Sequence, residues 1–200
     1  MIAVINLGNS NLQSVINALD SYQAEYVVTN KSNELVESDK IILPGVGSFS
    51  SGIHRLEDLK LFEFLKNELL ISNKPFLGIC LGMQMLFESS EEDNNKRKGL
   101  GVISGKVVKL PNSKNYRIPR IGWAQSKIIK DFLGLKKDDL IDFYYIHSFH
   151  VQPENPNTIH IESDNGIVSA IKFQNIYGCQ FHPEKSHNKG LTILKHFIDL

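Results

Sequence analysis

The chain has 200 residues, 42% of them hydrophobic, and its 22 Lys and Arg residues balance 22 Asp and Glu residues. This balance offers no basic excess for a nucleic-acid partner, and no apolar run approaches the roughly 20 residues of a membrane helix. Two cysteines are too few for a disulfide framework and no signal-peptide pattern opens the sequence, so we expect one domain over residues 1–200 that works in the cytoplasm.

The first half of the chain alternates between short apolar runs, which indicate buried strands, and apolar residues at helical spacing. This alternation is typical of an α/β domain with a parallel sheet. Ligands of such sheets bind beyond the carboxyl ends of the strands, so a site is expected just after Ile5, Leu43 and Ile79. The predicted strands are 2–5, 26–28, 40–43 and 75–79, and the predicted helices are 12–19, about 52–71 and one beginning near residue 82.

The second half has a different pattern. A charged stretch over residues 90–99 is predicted to be a solvated loop, and apolar residues at helical spacing over 190–198 predict a closing helix. Between them lie short β-type runs, which predict additional antiparallel strands. We therefore expect an α/β fold with a mostly parallel central sheet, flanking helices and extra antiparallel strands in the C-terminal half. The β-type runs are 107–108, 143–146, 158–161, 167–173 and 176–181.

The strongest single motif is Gly-Ile-Cys-Leu-Gly at 78–82, where a predicted strand gives way to a helix. Its spacing is that of a nucleophile elbow, G-x-S-x-G, with a thiol in place of the hydroxyl. The helix N-terminus behind Cys80 favours a thiolate, and its amides can stabilise an oxyanion. On this motif alone, a small buried cysteine is an equally good interpretation. Cys179 lies in a strand-like run without such a frame and is interpreted as structural.

A thiolate nucleophile needs a base that can later protonate the leaving amine. His182 follows a β-type run, and Pro183 cannot donate to a sheet, so the strand is expected to end here. In an extended segment residues two apart point the same way, which would let Glu184 orient the imidazole. By itself, His-Pro-Glu is better interpreted as a surface turn. His147 has no adjacent carboxylate and is interpreted as lining the site or the interface rather than as the base.

A third segment, Pro-Gly-Val-Gly at 44–47, follows the third predicted strand. Its glycines permit unusual dihedral angles and a close approach of backbone amides to a ligand. An amide of this loop, together with that of Leu81, could form an oxyanion hole. Taken alone, the segment indicates only a turn.

Together these segments resemble the three signatures of the class I, or triad-type, glutamine amidotransferases: 44–47, 77–84 and 181–184. Their order, their spacing and the length of the chain also fit, so the resemblance covers essentially all of the sequence. Within the class, the chain is most similar to the glutaminase subunits of imidazole glycerol phosphate synthases. Segments 8–15, 121–123, 145–148 and 185–186 support this closer match, whereas Asn-Leu-Gly at 6–8 and Arg-Ile-Gly-Trp-Ala at 120–124 depart from the usual pattern.

The resemblance implies a single glutamine amidotransferase domain that hydrolyses glutamine through a cysteine thioester, with no cofactor and no metal. It implies a heterodimer with a (β/α)8-barrel cyclase, which receives the ammonia for histidine biosynthesis. The residues carried over by the match are Cys80, His182 and Glu184 for catalysis, Val46, Gly47 and Leu81 for the oxyanion hole, Gln84, Ser148 and Phe149 for substrate binding, and Asn11, Trp123 and Lys185 for the partner interface.

Three alternatives remain at this stage. Paralogues of this subunit supply ammonia to a synthase that amidates surface sugars, and both departures from the pattern lie in segments expected near the partner. An inactive docking scaffold with the same fold is the second alternative, against which the intact triad argues. A free-standing cysteine hydrolase is the third, and it does not explain Gln84 or the residues that match the interface.

Overall fold

The computed structural model describes residues 1–8, 12–114, 116–164 and 166–200. In the first half, strands and helices alternate as the sequence predicts. No helix among the described residues is long and apolar enough to cross a membrane. The elements of this half are β1 Ile2–Ile5, α1 Leu12–Ser21, β2 Tyr26–Thr29, α2 Ser32–Glu37, β3 Lys40–Gly45, α3 Phe49–Asp58, α4 Phe62–Ile71, β4 Phe76–Cys80 and α5 Leu81–Gln84.

The second half is mainly β-structure and closes with a helix, as expected. Among its described residues, three short 3-10 helices interrupt it, at Glu91–Asp93, Pro156–Thr158 and Pro183–Lys185. The remaining elements are β5 Ser89–Ser90, β6 Gly105–Lys109, β7 Arg120–Ile128, β8 Leu140–His147, β9 Phe149–Pro153, β10 Ile159–Ser163, β11 Ile167–Phe173, β12 Ile176–Cys179 and α6 His187–Asp199.

Within the described part of the chain, nine strands form one sheet in the order β2-β1-β3-β4-β12-β11-β10-β7-β8. The strands from β2 to β12 in this order run parallel to one another. The other four strands, β11, β10, β7 and β8, each pair antiparallel with their neighbours in the sheet. A smaller sheet has the order β5-β6-β9. The expected fold class, a mostly parallel sheet with added antiparallel strands in the C-terminal half, is confirmed.

The register of the parallel strands brings three chain segments to one edge of the sheet. Gly45 at the end of β3 pairs with Cys80 at the end of β4. On the other side of β4, Ile79 pairs with Cys179 at the end of β12. The residues that follow β3, β4 and β12 therefore emerge side by side, although they are far apart in sequence.

Two apolar clusters, one on each face of the sheet, fix the position of this edge. Alternate residues of β1 belong to opposite clusters: Ala3 and Ile5 pack into one, Ile2 and Val4 into the other. A strand that is buried on both faces reads as a continuous apolar run, which is why these strands could be predicted. The strand ends beneath the site are consequently held from both sides.

The prediction of one long helix over about 52–71 is wrong, because this segment forms two helices, α3 and α4. The backbone N–H of Leu59 closes the end of α3 by donating to Arg55 and Glu57 carbonyls, and Lys60 then takes φ +58°. Leu61 is buried before α4 begins. Both helices pack on the same cluster, so the apolar spacing continues from α3 into α4. The spacing in the sequence therefore gives no sign of the break.

The third strand does not stop before Pro44 but runs through Gly45. Pairing of β3 with β1 ends at Ile42, whereas pairing with β4 continues to Gly45. Beyond Ile42 the strand therefore has one partner, a position at which a missing proline N–H is tolerated. This extension carries the loop that follows Gly45 to the level of Cys80.

Strands β7 and β9 and helix α2 were not predicted from the sequence. Only alternate residues of β7 are well buried, so it lacks the apolar run that marks a central strand. Its exposed face includes Ile121 and Trp123. The charged stretch predicted as a loop also contains ordered structure, the short β5 strand and the 3-10 helix after it.

Candidate active site

Cys80 is at a strained turn between β4 and α5. Its φ of 54° and ψ of −109° are unusual for a residue with a side chain. Such strain persists only where the surrounding structure enforces it, and it often marks a functional residue. The turn lifts the thiol out of the end of the parallel sheet, as a nucleophile elbow requires.

Small residues make this turn possible. A Cβ on Gly82 would lie 1.9 Å from the Leu43 carbonyl oxygen, and a Cβ on Gly78 would lie 2.8 Å from backbone atoms of Gly82. A Cβ on Gly178 of the neighbouring strand would come within 2.5 Å of the Met83 side chain. The elbow thus needs glycine on both sides of the cysteine and on the adjacent strand.

The second cysteine has no such setting. Cys179 is completely buried in β12, and burial raises the pKa of its thiol well above the usual value, with the charge of Glu184 adding to the shift. Both cysteines are free of disulfides. Cys179 is held as a neutral thiol in the core, in agreement with its structural interpretation.

Hydrogen bonds to β8 fix the segment that carries His182. The backbone N–H of His182 donates to the Tyr144 carbonyl at 3.0 Å. The Ser186 hydroxyl donates to the His182 carbonyl at 2.7 Å and accepts from the Tyr144 backbone N–H at 3.0 Å. Phe181 stacks on Phe143 with ring centroids 3.9 Å apart. The imidazole is therefore held by backbone and core packing on both sides.

His182 connects the thiol and a buried carboxylate. Its Nδ1–H donates to Glu184 Oε1 at 2.8 Å, and the two side chains are only 4% and 2% exposed. Burial alone would lower the pKa of His182, but hydrogen bonding to Cys80 and to Glu184 outweighs it and raises that pKa to about 10. The imidazole is thus protonated at neutral pH while it is paired with the sulfur and the carboxylate.

The prediction of an extended backbone from His182 to Glu184 is wrong. Residues Pro183–Lys185 form a 3-10 turn rather than an extended strand. The turn brings the Glu184 carboxylate back toward the His182 imidazole, so the two side chains meet without the alternation of a strand.

A cavity of about 210 Å³ opens beside Cys80. Residues 6–8, just after β1, are not among its lining residues, and the continuation of this segment at 9–11 lies outside the described residues. Gly47, with φ +99°, and Leu81 both line the cavity, whereas Val46 is half-buried beside it. The lining consists of Gly47, Cys80, Leu81, Gln84, Glu92, Pro119, Ile146, His147, Ser148 and Phe149.

Gln84 is tied into the protein through its amide nitrogen. Nε2 donates to the Phe149 carbonyl and to Gln180 Oε1, both at 3.0 Å. Gln84 Oε1 is therefore the atom that this side chain can offer to a ligand in the cavity. Phe149 contributes its carbonyl to the same network, which orients the 148–149 segment along the cavity wall.

His147 also lines the cavity, but as a neutral ring. Its Nδ1–H donates to the Phe149 carbonyl at 2.9 Å, and burial lowers its pKa to about 4. Its Nε2 is buried without a hydrogen-bond partner among the described residues. A ring that stays neutral at physiological pH cannot donate a proton as His182 can, which agrees with its interpretation as a lining residue.

Two residues of the site were missed in the sequence. Glu92, assigned to a solvated loop, is the one carboxylate among the described residues that line the cavity, and its Oε2 accepts the Phe49 backbone N–H at 2.6 Å. No local pattern distinguishes it from the acidic residues beside it. Gln180 lies two residues before His182, and this even spacing in a β-type run was the available signal.

An exposed apolar face borders the nucleophile. It consists of Ile121, Trp123, Tyr144 and Ile146, which pair across β7 and β8 as Ile121 with Ile146 and Trp123 with Tyr144. Ile121 and Trp123 are 63% and 47% exposed. The Ile146 carbonyl oxygen is 3.8 Å from the Cys80 sulfur, so the face begins at the active site.

Lys185 and Asn11 are the other two residues that the resemblance matches to an interface. Lys185 is half-buried in the turn that follows His182. Asn11 lies outside the described residues. Among the residues that the structure describes, no group of three or more His, Cys, Asp and Glu side chains is placed to hold a metal ion.

Comparison with known sequences extends along the whole chain. The family model for glutamine amidotransferase class-I matches residues 3–200. Imidazole glycerol phosphate synthase subunit HisH of Pyrococcus furiosus is 45% identical, over 98% of this chain and 97% of its own length. The HisH subunit of Methanocaldococcus jannaschii is 41% identical over 100% of both chains.

Solved structures share the fold at lower identity. A crystal structure of a glutamine amidotransferase superposes with a TM-score of 0.78 at 14% identity and covers 99% of this chain and 97% of its own. PurLQS from Thermotoga maritima superposes with a TM-score of 0.73 at 18% identity, with coverage of 99% and 97%. At these identities the likeness concerns the fold.

Proposed function

Because this chain belongs to the class I glutamine amidotransferase family, we propose that it is the glutaminase subunit of an imidazole glycerol phosphate synthase, with residues 1–200 as one amidotransferase domain. It hydrolyses glutamine to glutamate and ammonia. The observation that carries the proposal is the meeting of Cys80, His182 and Glu184 at one edge of the sheet, in a chain whose full-length relatives are HisH subunits.

In the proposed reaction the Cys80 thiolate attacks the side-chain amide carbon of glutamine and forms a C–S bond. His182, protonated at neutral pH, gives its proton to the departing nitrogen as the C–N bond breaks, which releases ammonia. The neutral imidazole then takes a proton from water, and the hydroxide attacks the thioester. Glutamate leaves and the thiolate–imidazolium pair returns. Glu184 holds the imidazole through Nδ1 during both transfers.

The tetrahedral intermediates carry negative charge on the former amide oxygen. We assign its stabilisation to backbone amides of Leu81, after the elbow, and of Val46 and Gly47, in the loop at the end of β3. The register that pairs Gly45 with Cys80 supports this assignment, because it brings the loop next to the reacting sulfur.

The amino acid end of glutamine carries one ammonium and one carboxylate. We propose that Glu92 and Gln84 Oε1 accept from the ammonium, because the former supplies negative charge and the latter is an acceptor that the protein leaves available. The segment of Ser148 and Phe149, which also lines the cavity, is assigned to the carboxylate.

Replacing Glu92 with glutamine is expected to raise KM for glutamine about 10- to 100-fold with a smaller change in kcat, since a charged hydrogen bond to the substrate is weakened. The new side chain can still accept the Phe49 N–H, so the loop is kept. The matched control is Glu91→Gln, because Glu91 bonds the Lys109 backbone and Lys106 and does not line the cavity. Steady-state kinetics in which both variants retain the wild-type KM would remove Glu92 from the substrate site.

We propose a (β/α)8-barrel cyclase as the partner, bound as a heterodimer over the apolar face. Ammonia made at Cys80 would then be released directly beside the partner surface, because Ile146 belongs both to the cavity lining and to that face. Trp123 is placed by stacking on His187 at 4.6 Å, and Lys185 lies in the adjoining turn. Asn11 stays a prediction from the sequence resemblance.

The coupled assay tests this function. We expect low glutamine hydrolysis by the chain alone and a rise of roughly tenfold or more with a cyclase and its ribotide substrate, accompanied by glutamine-dependent formation of imidazole glycerol phosphate. Trp123→Ala should lose most of this stimulation, whereas Ile71→Ala, which truncates an 83% exposed side chain at the end of α4, should not.

Equal rates with and without the cyclase would count against this partner. If another synthase stimulated hydrolysis instead, the runner-up assignment to sugar amidation would replace it. If no partner changed the rate, the result would support a free-standing hydrolase.

A further inference from the structure

A buried amide faces the reacting sulfur. Gln180 is completely buried, and its Nε2 lies 3.6 Å from the Cys80 sulfur. Cys179, the last residue of β12, pairs with Ile79. Gln180, which follows β12, is therefore brought beside Cys80, the last residue of β4.

The direction of this amide follows from its neighbours. The Phe149 carbonyl oxygen can only accept, so the Gln84 group that contacts it is the NH2. The same NH2 contacts the second amide, which must therefore present its oxygen to Gln84. That leaves the nitrogen of Gln180 toward Cys80 and makes its N–H the donor to the sulfur.

We propose that Gln180 stabilises the Cys80 thiolate by donating this N–H to the sulfur, and that Gln84 keeps the amide in the donating orientation. The proposal deepens the function proposed above and depends on it for its role in glutamine hydrolysis. The opposing group is the Ile146 carbonyl, 3.8 Å from the sulfur, which can accept from a thiol but repels a thiolate. The Gln180 N–H and the His182 imidazolium are the donors that face the sulfur, against this one carbonyl.

This arrangement also joins substrate binding to the nucleophile. The Gln84 side chain that is proposed to accept from the substrate ammonium is the one that orients Gln180. A single chain of hydrogen bonds therefore runs from the cavity wall, through two amides, to the reacting sulfur.

The test is the pH dependence of Cys80 alkylation by iodoacetamide, with the modified peptide identified by mass spectrometry. Gln180→Met keeps a similar length without a donor, and we expect the pH midpoint of alkylation to rise by about one unit or more. Gln84→Met removes the group that orients the amide, and we expect a smaller rise. The measurement needs neither glutamine nor a partner, so it stays informative even if the proposed function is wrong.

A purely structural role of Gln180 would lower the melting temperature without moving the midpoint. Gln125→Met, in which an exposed glutamine of β7 is changed, is the matched control and should retain the wild-type midpoint. If Gln180→Met does not fold, Gln84→Met alone decides the question. A wild-type midpoint in a folded Gln180→Met or, failing that, in Gln84→Met would overturn the proposal.

Discussion

Cys80→Ala is expected to lower glutamine hydrolysis by about 10⁴-fold or more, because loss of a covalent nucleophile leaves only the binding and oxyanion groups to act. The substitution removes one sulfur atom at a strained turn whose shape is fixed by glycines and by pairing with β3. We therefore expect the variant to fold and to bind its partner. Glutamate release with and without the cyclase, and co-purification of the two subunits, measure the two properties separately.

Cys179→Ala is the matched control for loss of a thiol. Cys179 is buried in the core next to the site and does not line the cavity. It is expected to cost some stability, as removal of buried atoms does, but to keep most of the hydrolytic rate. Retained hydrolysis in Cys80→Ala, or its loss in Cys179→Ala with the fold intact, would contradict the assignment of the nucleophile.

His182→Gln is expected to be the second most damaging change, again by roughly 10⁴-fold in kcat, because both proton transfers use this ring. Glutamine has a similar size and can still bond Glu184, so the loss reports on proton transfer rather than on packing. The control is His54→Gln on an exposed part of α3, which should leave kcat unchanged. Comparable kcat values for the two variants would rule out His182 as the acid and base.

The pH dependence of stability gives an independent test of His182. Its folded-state pKa of about 10 exceeds the usual 6.5, because the bonds to Cys80 and Glu184 outweigh burial. The stability that the bound proton contributes is therefore complete below pH 6.5 and is lost as the pH rises through 10. The free energy of unfolding should fall over this range more steeply in the wild type than in His182→Gln, as measured by denaturant titration.

The parallel half of the fold could be predicted because each of its strands has a recognisable pattern in its own short segment of sequence. Strands buried on both faces appear as unbroken apolar runs, and Gly78 and Gly82 mark a turn that has no room for a side chain at those two positions. Strand β7 could not be predicted in this way, since its alternate residues are exposed. The break between α3 and α4 was hidden because both helices face the same apolar cluster.

The residues of the site also divide into those that could be predicted from local sequence and those that could not. Motifs with a local signature, the elbow and the His-Pro-Glu turn, could be found from the sequence. Glu92 and the donor role of Gln180 depend on contacts between distant segments, which only the register of β4 and β12 and the position of the 3-10 helix at Glu91–Asp93 create. The contact of His182 with Glu184 was expected for the wrong reason, because a turn and not a strand brings them together.

The most direct measurement is to capture the covalent intermediate. The wild-type enzyme is mixed with isotope-labelled glutamine and its partner, quenched in acid within one turnover, digested and examined by mass spectrometry. We predict a γ-glutamyl thioester on the peptide that contains Cys80 and none on the peptide that contains Cys179. Continued glutamate release with no adduct at Cys80, or an adduct on any other residue, would contradict the account.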